Sequence, residues 1–375
     1  MPGMRKTTDR KYRVIYEAVR KEIASGRYGD GQRLPNEVEL VKRFRVSRPT
    51  VARALRELQV QGVIERRAGS GTIVRNSGRV RTGVFGLLIP NLGNTEIFEP
   101  ICAEMAREAQ AAHHTLLWGD ATRGDDAAGA RAEELCRRYI ERGVSGVFFA
   151  PLELVPGSAE ANRRIGAALR SAGLPVVLLD RDIEPFPARS RFDLVGIDNV
   201  AAGHRLAAHL LGLGCRRIRF VARPGSAGTV EARIAGCREA VRQRGLPAGA
   251  LKVAYGDPAD PAFLDGLLAP GETALIGAND ATAALLLQGL AARGVDVPGR
   301  VRLAGFDDVK YATLLPVPLT TMRQPCREIG VAAVRAMVER IADPSLPGRS
   351  ILLPAELIIR QSCGSGRQHA PASHL

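Results

Sequence analysis

The sequence predicts an α/β protein in two parts: a small helical head carrying a short hairpin, then a large domain of two lobes built on parallel sheets. Three observations predict it. The first is charge: of the formal +14, residues 1–82 hold 20 Lys and Arg against 8 Asp and Glu, a net of +12, which leaves +2 for all the rest. The second is periodicity, which is helical up to about residue 60 and then becomes short apolar runs alternating with helical patterns. The third is length, since 375 residues exceed one comfortable core.

In the head, Tyr12, Ile15, Tyr16, Val19 and Ile23 form the stripe of a helix over 12–23, and the basic residues from Arg5 to Arg13 read as a solvated tail. Gly26, Gly29 and Gly31 break the chain. Asn36 followed by Glu39 is a capping-box pattern that starts a second helix. A third starts after Ser47, with Val51, Leu55 and Leu58 as its core face. Arg53 lies roughly 200° from Val51 at 100° per residue, hence away from the core. The basic run Glu65-Arg66-Arg67 leads into Gly69-Ser70-Gly71, a glycine-tipped hairpin. Two short capped helices and such a hairpin are the parts of a winged helix-turn-helix, whose second helix enters a DNA major groove. The local basic excess is the footprint of a polyanion-binding module.

Leu34-Pro35-x-Glu37, Val46-Ser47-Arg48-x-Thr50-Val51 and Gly69-x-Gly71-Thr72 stand in order, and over about residues 10–75 the chain resembles the GntR family of bacterial regulators. Two places that often carry arginine in that family hold Val38 and Ala52 here. The resemblance implies DNA contacts at Ser47, Arg48, Thr50, Arg53, Arg66, Arg67 and Gly69. Ser47 and Thr50 also suit helix capping, and Arg66 and Arg67 also suit a solvated hairpin edge.

A polar stretch ends the head at residue 77, with 78–83 as linker. Buried-strand patterns follow at 84–89, 115–118, 146–150, 176–179, 218–221, 251–255, 274–278 and 301–306, with helical patterns such as 101–111, 130–142 and 281–293 between them. This alternation predicts parallel sheets flanked by helices, with any ligand beyond the strand C-terminal ends. Asp180, Asn279 and Asp307 each close an apolar strand run, so their polar groups are expected to converge on the cleft between lobes.

Gly86-Leu87-Leu88-Ile89-Pro90, Pro175 to Arg181, Val195 to Asn199, Glu231 to Gly236, Ala278-Asn279-Asp280, Gly305-Phe306-Asp307-Asp308 and Pro318-Leu319-Thr320-Thr321 follow one another as landmarks, and 84–362 resembles the LacI/GalR effector domain, built like a periplasmic sugar-binding protein. A GntR head on a LacI-type body is similar to the arabinose-repressor architecture. The resemblance implies ligand contacts at Arg233, Asn279 and Asp307, with Asp180 beside them and Phe98 as an apolar platform; a core Phe98 is the alternative. Trp118 and Asp120 end the second strand pattern and offer either ligand or structural roles. Asn199 and Asp308 read as loop or cap chemistry. Residues 363–375, small and polar, are expected to be a disordered tail.

The resulting expectation is a DNA-binding transcriptional regulator, a repressor, controlled by a small ligand, a carbohydrate above all, and acting as a cytoplasmic homodimer on double-stranded operator DNA. The alternatives are a non-sugar effector such as a purine, or a GntR-headed enzyme. The enzyme reading needs a Schiff-base lysine, and beyond residue 82 only Lys252 and Lys310 occur, neither in a suggestive context. No cofactor and no metal site is expected: the six cysteines are scattered without a C-x-x-C pair, and His113-His114 has no partner at ligand spacing. No apolar run approaches a membrane span, and the basic N-terminus lacks the apolar stretch of a signal peptide.

Overall fold

The structure, a computed structural model, describes residues 3–24, 27–28, 31–60, 62–67, 71–74, 83–89, 97–119, 128–268 and 274–365. The chain divides into two compact units, one of Met1–Gly83 with Val338–Pro344 and the other spanning Val84–Met337 and Ser345–Leu375.

In the first unit, α1 (Gly3–Ala24), α2 (Glu37–Phe44) and α3 (Arg48–Val60) precede β1 (Ile64–Arg67) and β2 (Gly71–Val74). The backbone of α1 is helical from Gly3, which corrects the reading of Arg5 to Arg13 as a tail. A helix nucleated over 12–23 can propagate outward one residue at a time without an apolar stripe. At α2 the capping box is complete: Asn36 Oδ1 accepts from the Glu39 N–H at 2.9 Å and Glu39 Oε2 from the Asn36 N–H at 2.8 Å. Val51, Leu55 and Leu58 of α3 are fully buried against Ile15, Val19 and Ile23 of α1 and Leu40 of α2. The hairpin is antiparallel, Ile64 opposite Val74 and Arg67 opposite Gly71, and Ile64 and Val74 close the core from below.

The second unit opens with β3 (Val84–Leu88), α4 (Phe98–Ala111), β4 (Thr115–Trp118), α5 (Ala128–Glu141), β5 (Gly146–Phe149), α6 (Ser158–Ser171), β6 (Val176–Leu179) and β7 (Asp193–Ile197). It continues with α7 (Asn199–Gly212), β8 (Ile218–Ala222), α8 (Gly228–Gln243), β9 (Leu251–Tyr255), α9 (Pro261–Leu267), β10 (Ala274–Gly277), α10 (Asp280–Ala292), β11 (Arg302–Asp307) and β12 (Thr320–Arg323). Last come α11 (Cys326–Ala342), β13 (Ser350–Leu353) and β14 (Glu356–Ile358). Two six-stranded sheets result, ordered β13-β7-β6-β5-β3-β4 and β14-β12-β11-β10-β8-β9. Every pairing is parallel except β14 on β12. Phe149, Val147, Leu178 and the inner faces of α5 and α6 fill one lobe's core; Leu275, Leu303 and the inner faces of α9 and α10 fill the other's.

The chain passes between lobes three times: at Asp198 between β7 and α7, at Gln324 and Pro325 between β12 and α11, and at Pro354 and Ala355 between β13 and β14. The first and third passages are tied by the Asp198 N–H donating to Leu353 O at 3.0 Å. The eight expected strands and three expected helices appear within a few residues of their predicted positions. Strands β7, β12, β13 and β14, all at the passages, were not among them. The disordered tail expected from 363 is corrected at its start: Cys363 is fully buried in the short turn Gln361–Cys363, where packing against the lobe orders the chain, and residues from 366 onward lie outside the described ones.

One crossing decides where the site forms. Helices α7 and α8 meet at Gly203 and Gly236: a Cβ on Gly203 would lie 2.0 Å from Arg233 O, and one on Gly236 would lie 1.9 Å from Val200 O. Only glycine allows this approach, and it sets the buried Arg233 of α8 beside the first turn of α7.

Candidate interlobe site and nucleic-acid face

Arg233, 4% exposed, is held on three sides. Its Nε donates to Asn199 Oδ1 at 2.8 Å and its Nη1 to Ala278 O at 2.6 Å, while Nη2 lies 3.5 Å from Asp307 Oδ1. The guanidinium sits over the Phe306 ring, 4.6 Å from its centroid. Asn199 in turn donates to Ile197 O, so its role is to orient Arg233, while Asp198 caps α7 by accepting from the Ala201 N–H at 2.9 Å. Asp307 closes β11 and also accepts from Gln324 Nε2 at 2.8 Å.

The opposite lobe presents a similar group. Asp180, just past β6, and its neighbour Arg181 are both buried, and Arg181 pairs with Glu153 Oε1 and lies 3.2 Å from Asp180 Oδ2. The Arg181 guanidinium lies over Phe98, 5.7 Å from its centroid. Phe98 itself is buried at the start of α4, standing behind Arg181 rather than offering an open face. Each lobe therefore brings a strand-end aspartate, a buried arginine and a phenylalanine behind it.

Burial raises the Asp180 carboxyl above the ordinary carboxylate range; Arg181 and Arg233 pull it back, and Glu153 and Asp307 push it up. Asp280, fully buried at the start of α10, is also raised well above its usual value, by burial first and by Asp307 second. It holds the floor of the site, accepting from Thr321 Oγ1 at 2.7 Å and from the Val309 N–H at 3.1 Å. Asn279 caps α10, its Oδ1 accepting from the Thr282 N–H at 2.8 Å, which leaves its amide NH2 to donate.

Among the described residues six non-glycines have positive φ, and four of them, Leu154, Asp180, Asp307 and Asp308, stand at strand ends or loops around this cleft. Such backbone costs on the order of 1–3 kcal/mol per residue and persists only where surrounding contacts impose it. Asp308 is absorbed by Arg323 Nε and Arg360 Nη2, each at 2.6 Å, in keeping with a loop role. Trp118 is 63% exposed at the end of the edge strand β4, and Asp120 lies outside the described residues. The structure thus brings together Asp180, Arg233, Asn279 and Asp307. It adds Arg181, Glu153 and Gln324, which carry no strand-end signal of their own; only the ordered landmark ending in Arg181 hinted at one of them.

In the head, Glu37 is the organising residue. Its Oε2 accepts from Arg48 Nε at 3.0 Å and its Oε1 from Arg66, so one carboxylate ties the start of α3 to the hairpin. Both arginines hold the Glu37 carboxyl below its usual range, Arg48 most strongly, with burial opposing them. Ser47 and Arg48 are exposed, whereas Thr50 is buried and shares a 2.8 Å hydroxyl contact with Ser47, so it builds the helix start. Arg53 is exposed with its guanidinium 4.1 Å from the Tyr12 ring centroid. Gly69 and the Arg67 side chain lie outside the described residues.

A winged head that aims a basic helix start outward, joined to a two-lobed body whose cleft is lined by strand ends, defines a ligand-controlled transcriptional regulator. Residues 11–74 match the gntR family of bacterial regulatory proteins, and 207–363 match the periplasmic binding protein-like domain. The chain belongs to the HTH-type transcriptional regulators, and it carries a gntR-type head and a periplasmic binding protein-like body. It is 30% identical to an HTH-type transcriptional regulator in the aml 5' region of Streptomyces limosus, over 78% of this chain and 81% of that protein. It is 28% identical to the arabinose metabolism transcriptional repressor of Geobacillus stearothermophilus, over 96% and 99% of the two chains. Its fold is similar to that of a LacI family regulator from Enterococcus faecium with bound ribose, at TM-score 0.61 and 23% identity over 74% of this chain and 98% of that one. No helix among the described residues is long and apolar enough to cross a membrane.

Proposed function

We propose that this protein is a repressor whose affinity for operator DNA is set by an uncharged sugar held between the lobes of its second unit. One observation carries the ligand class. Asp180 Oδ1, past the end of β6, and Gln324 Oε1, at the passage between β12 and α11, are buried acceptors with no hydrogen-bond partner among the described residues. The charges of the two buried arginines beside them are already answered by Glu153 and Asp307, and the Arg181 Nε–H, a buried donor without a hydrogen bond among the described residues, suits the oxygen of a neutral hydroxyl, which both donates and accepts. Sugar hydroxyls supply the missing donors, and an unmet buried acceptor costs about 1–3 kcal/mol. A phosphate or carboxylate would bring further acceptors and negative charge toward Asp180, Glu153 and Asp307. A purine gains most from an open aromatic face, and Phe98 and Phe306 each lie under a guanidinium. The arabinose of one relative's name and the ribose bound to the Enterococcus faecium regulator support the same class.

The reading is of a binding protein rather than an enzyme, acting in the cytoplasm as a homodimer. A single winged head makes few base contacts, so two heads on a two-fold site provide the specificity. Ser47, Arg48 and Arg66 reach the DNA, with Thr50 acting through Ser47; Arg53, Arg67 and Gly69 complete the face. The test is a melting-temperature screen of the full chain with L-arabinose, D-ribose and cellobiose against ribose 5-phosphate and gluconate. A ligand at a hundred times its Kd adds about 2.7 kcal/mol. Stabilisation by a neutral sugar, followed by its effect on operator mobility shifts, is expected. Stabilisation by the anionic sugars alone would overturn the assignment.

A further inference from the structure

Glu153 stands on the loop between β5 and α6, and its two carboxylate oxygens face different lobes. Oε1 pairs with Arg181 of its own lobe, and Oε2 accepts from the Ala227 N–H of the other at 3.3 Å. Ala227 is the N-cap residue of α8, the helix that carries Arg233, and it has no side-chain cap of its own. The next residue on the loop, Leu154, has φ 57° and donates its N–H across the cleft to Gly225 O at 2.8 Å. A branched residue in left-handed backbone is disfavoured by about 1–2 kcal/mol, so the loop keeps this shape because its amide is taken up by the opposite lobe.

We propose that Glu153 is a positioning residue that clasps the two lobes at this rim and, with the same carboxylate, fixes Arg181 in the cleft. Burial gives the clasp its strength. The Arg181 side chain is 5% exposed and that of Glu153 24%. By contrast, the ion pair that links the lobes between Lys310 and Glu99, at 3.0 Å, is 79% and 68% exposed, and exposed pairs contribute little. A clasp that shares Glu153 with Arg181 couples the two: whatever draws the guanidinium into the cleft alters the hold on Ala227, and lobe opening frees Arg181. This coupling does not depend on which small molecule the cleft binds.

Hydrogen exchange of the full-length protein without added ligand tests it, with Glu153→Ala, Glu153→Gln and Lys310→Ala compared with the parent. Glu153→Ala should speed exchange at the Leu154 and Ala227 amides about tenfold or more, while amides within β5 and β8 keep their parent rates. Glu153→Gln, whose carbonyl still accepts one hydrogen bond, should give a smaller acceleration at the same two amides. Lys310→Ala should leave both unchanged. Parent-like protection at Leu154 and Ala227 in both Glu153 variants overturns the proposal. So does acceleration spread equally over β5 and β8, or an effect of Lys310→Ala as large as that of Glu153→Ala. Should Glu153→Ala fail to fold, the Gln variant decides on the same amides.

Discussion

Replacing Arg233 by Met separates what its charge does from what its bulk does. Methionine keeps an apolar stem over Phe306 but removes the donors to Asn199 Oδ1 at 2.8 Å and Ala278 O at 2.6 Å and the charge 3.5 Å from Asp307. Breaking a buried pair by deleting one partner costs about 3–5 kcal/mol, because the other charge is left in place. Two orphaned acceptors add about 1–3 kcal/mol each if water does not reach them. Asp307 keeps the Gln324 donor at 2.8 Å and is 14% exposed on its side chain, which places the pair's share at the low end, about 3 kcal/mol, and the whole loss with the two acceptors at about 5 kcal/mol. Against a total stability of about 5–15 kcal/mol, the variant folds but melts early. Denaturant unfolding followed by circular dichroism measures the loss, and the double variant Arg233→Met with Asp307→Asn should recover at least about 1 kcal/mol by removing the stranded charge. A loss below about 1 kcal/mol, or a double variant no better than the single, would refute the view that Asp307 depends on Arg233. The folded single variant should also lose sugar-dependent release or capture of DNA while binding operator alone, since effector acts only through its differential affinity for two lobe arrangements.

Three further outcomes are expected. Arg48→Ala should weaken specific operator binding by about 1–3 kcal/mol if Arg48 reads a base, and Glu37→Gln should weaken specific binding while raising affinity for random DNA, both read by competition mobility shifts; equal gains on both DNAs would mean that Glu37 positions nothing. Gly236→Ala should lower stability by about 1–3 kcal/mol through the clash with Val200 O, and an unchanged melting temperature would deny the close α7–α8 crossing. Asp180 has its carboxyl raised in the folded state, so its protonated form favours folding: that contribution is present below the ordinary carboxylate value of about 3.9 and is lost as pH rises through the raised one. Asp180→Asn should therefore gain stability relative to the parent as pH climbs above about 4, and a difference that stays flat or reverses would contradict the burial-driven shift.

The residues that could be read in advance are those whose signal is local. The capping box at Asn36 and Glu39, the Val51-Leu55-Leu58 face and the strand runs closed by Asp180, Asn279 and Asp307 each depend on a few neighbouring positions, and periodicity or hydrogen-bond geometry within one element reports them. Strands β7, β12, β13 and β14 escaped because strand character there comes from the sheet: β13 and β14 are short, half-exposed edge strands recruited after the chain has crossed between lobes. Arg181, Glu153 and Gln324 escaped for a related reason. Nothing beside them in the chain marks a pair that forms between a β5 loop and a β6 end, or an amide at an interlobe passage.

Charge, period and capping are written in adjacent residues, so the division into a basic head and a near-neutral body, the alternation that makes parallel sheets, and the strand-end polar residues are all legible along the chain. Only the tertiary structure decided that Gly203 and Gly236 bring α7 against α8, that Asn199 orients Arg233 instead of capping a helix, and that Glu37 ties Arg48 to Arg66. It also decided that Glu153 reaches both lobes. Each of these is a contact between positions far apart in the chain, and their energies come from burial and distance in three dimensions, which no spacing along one strand or helix encodes.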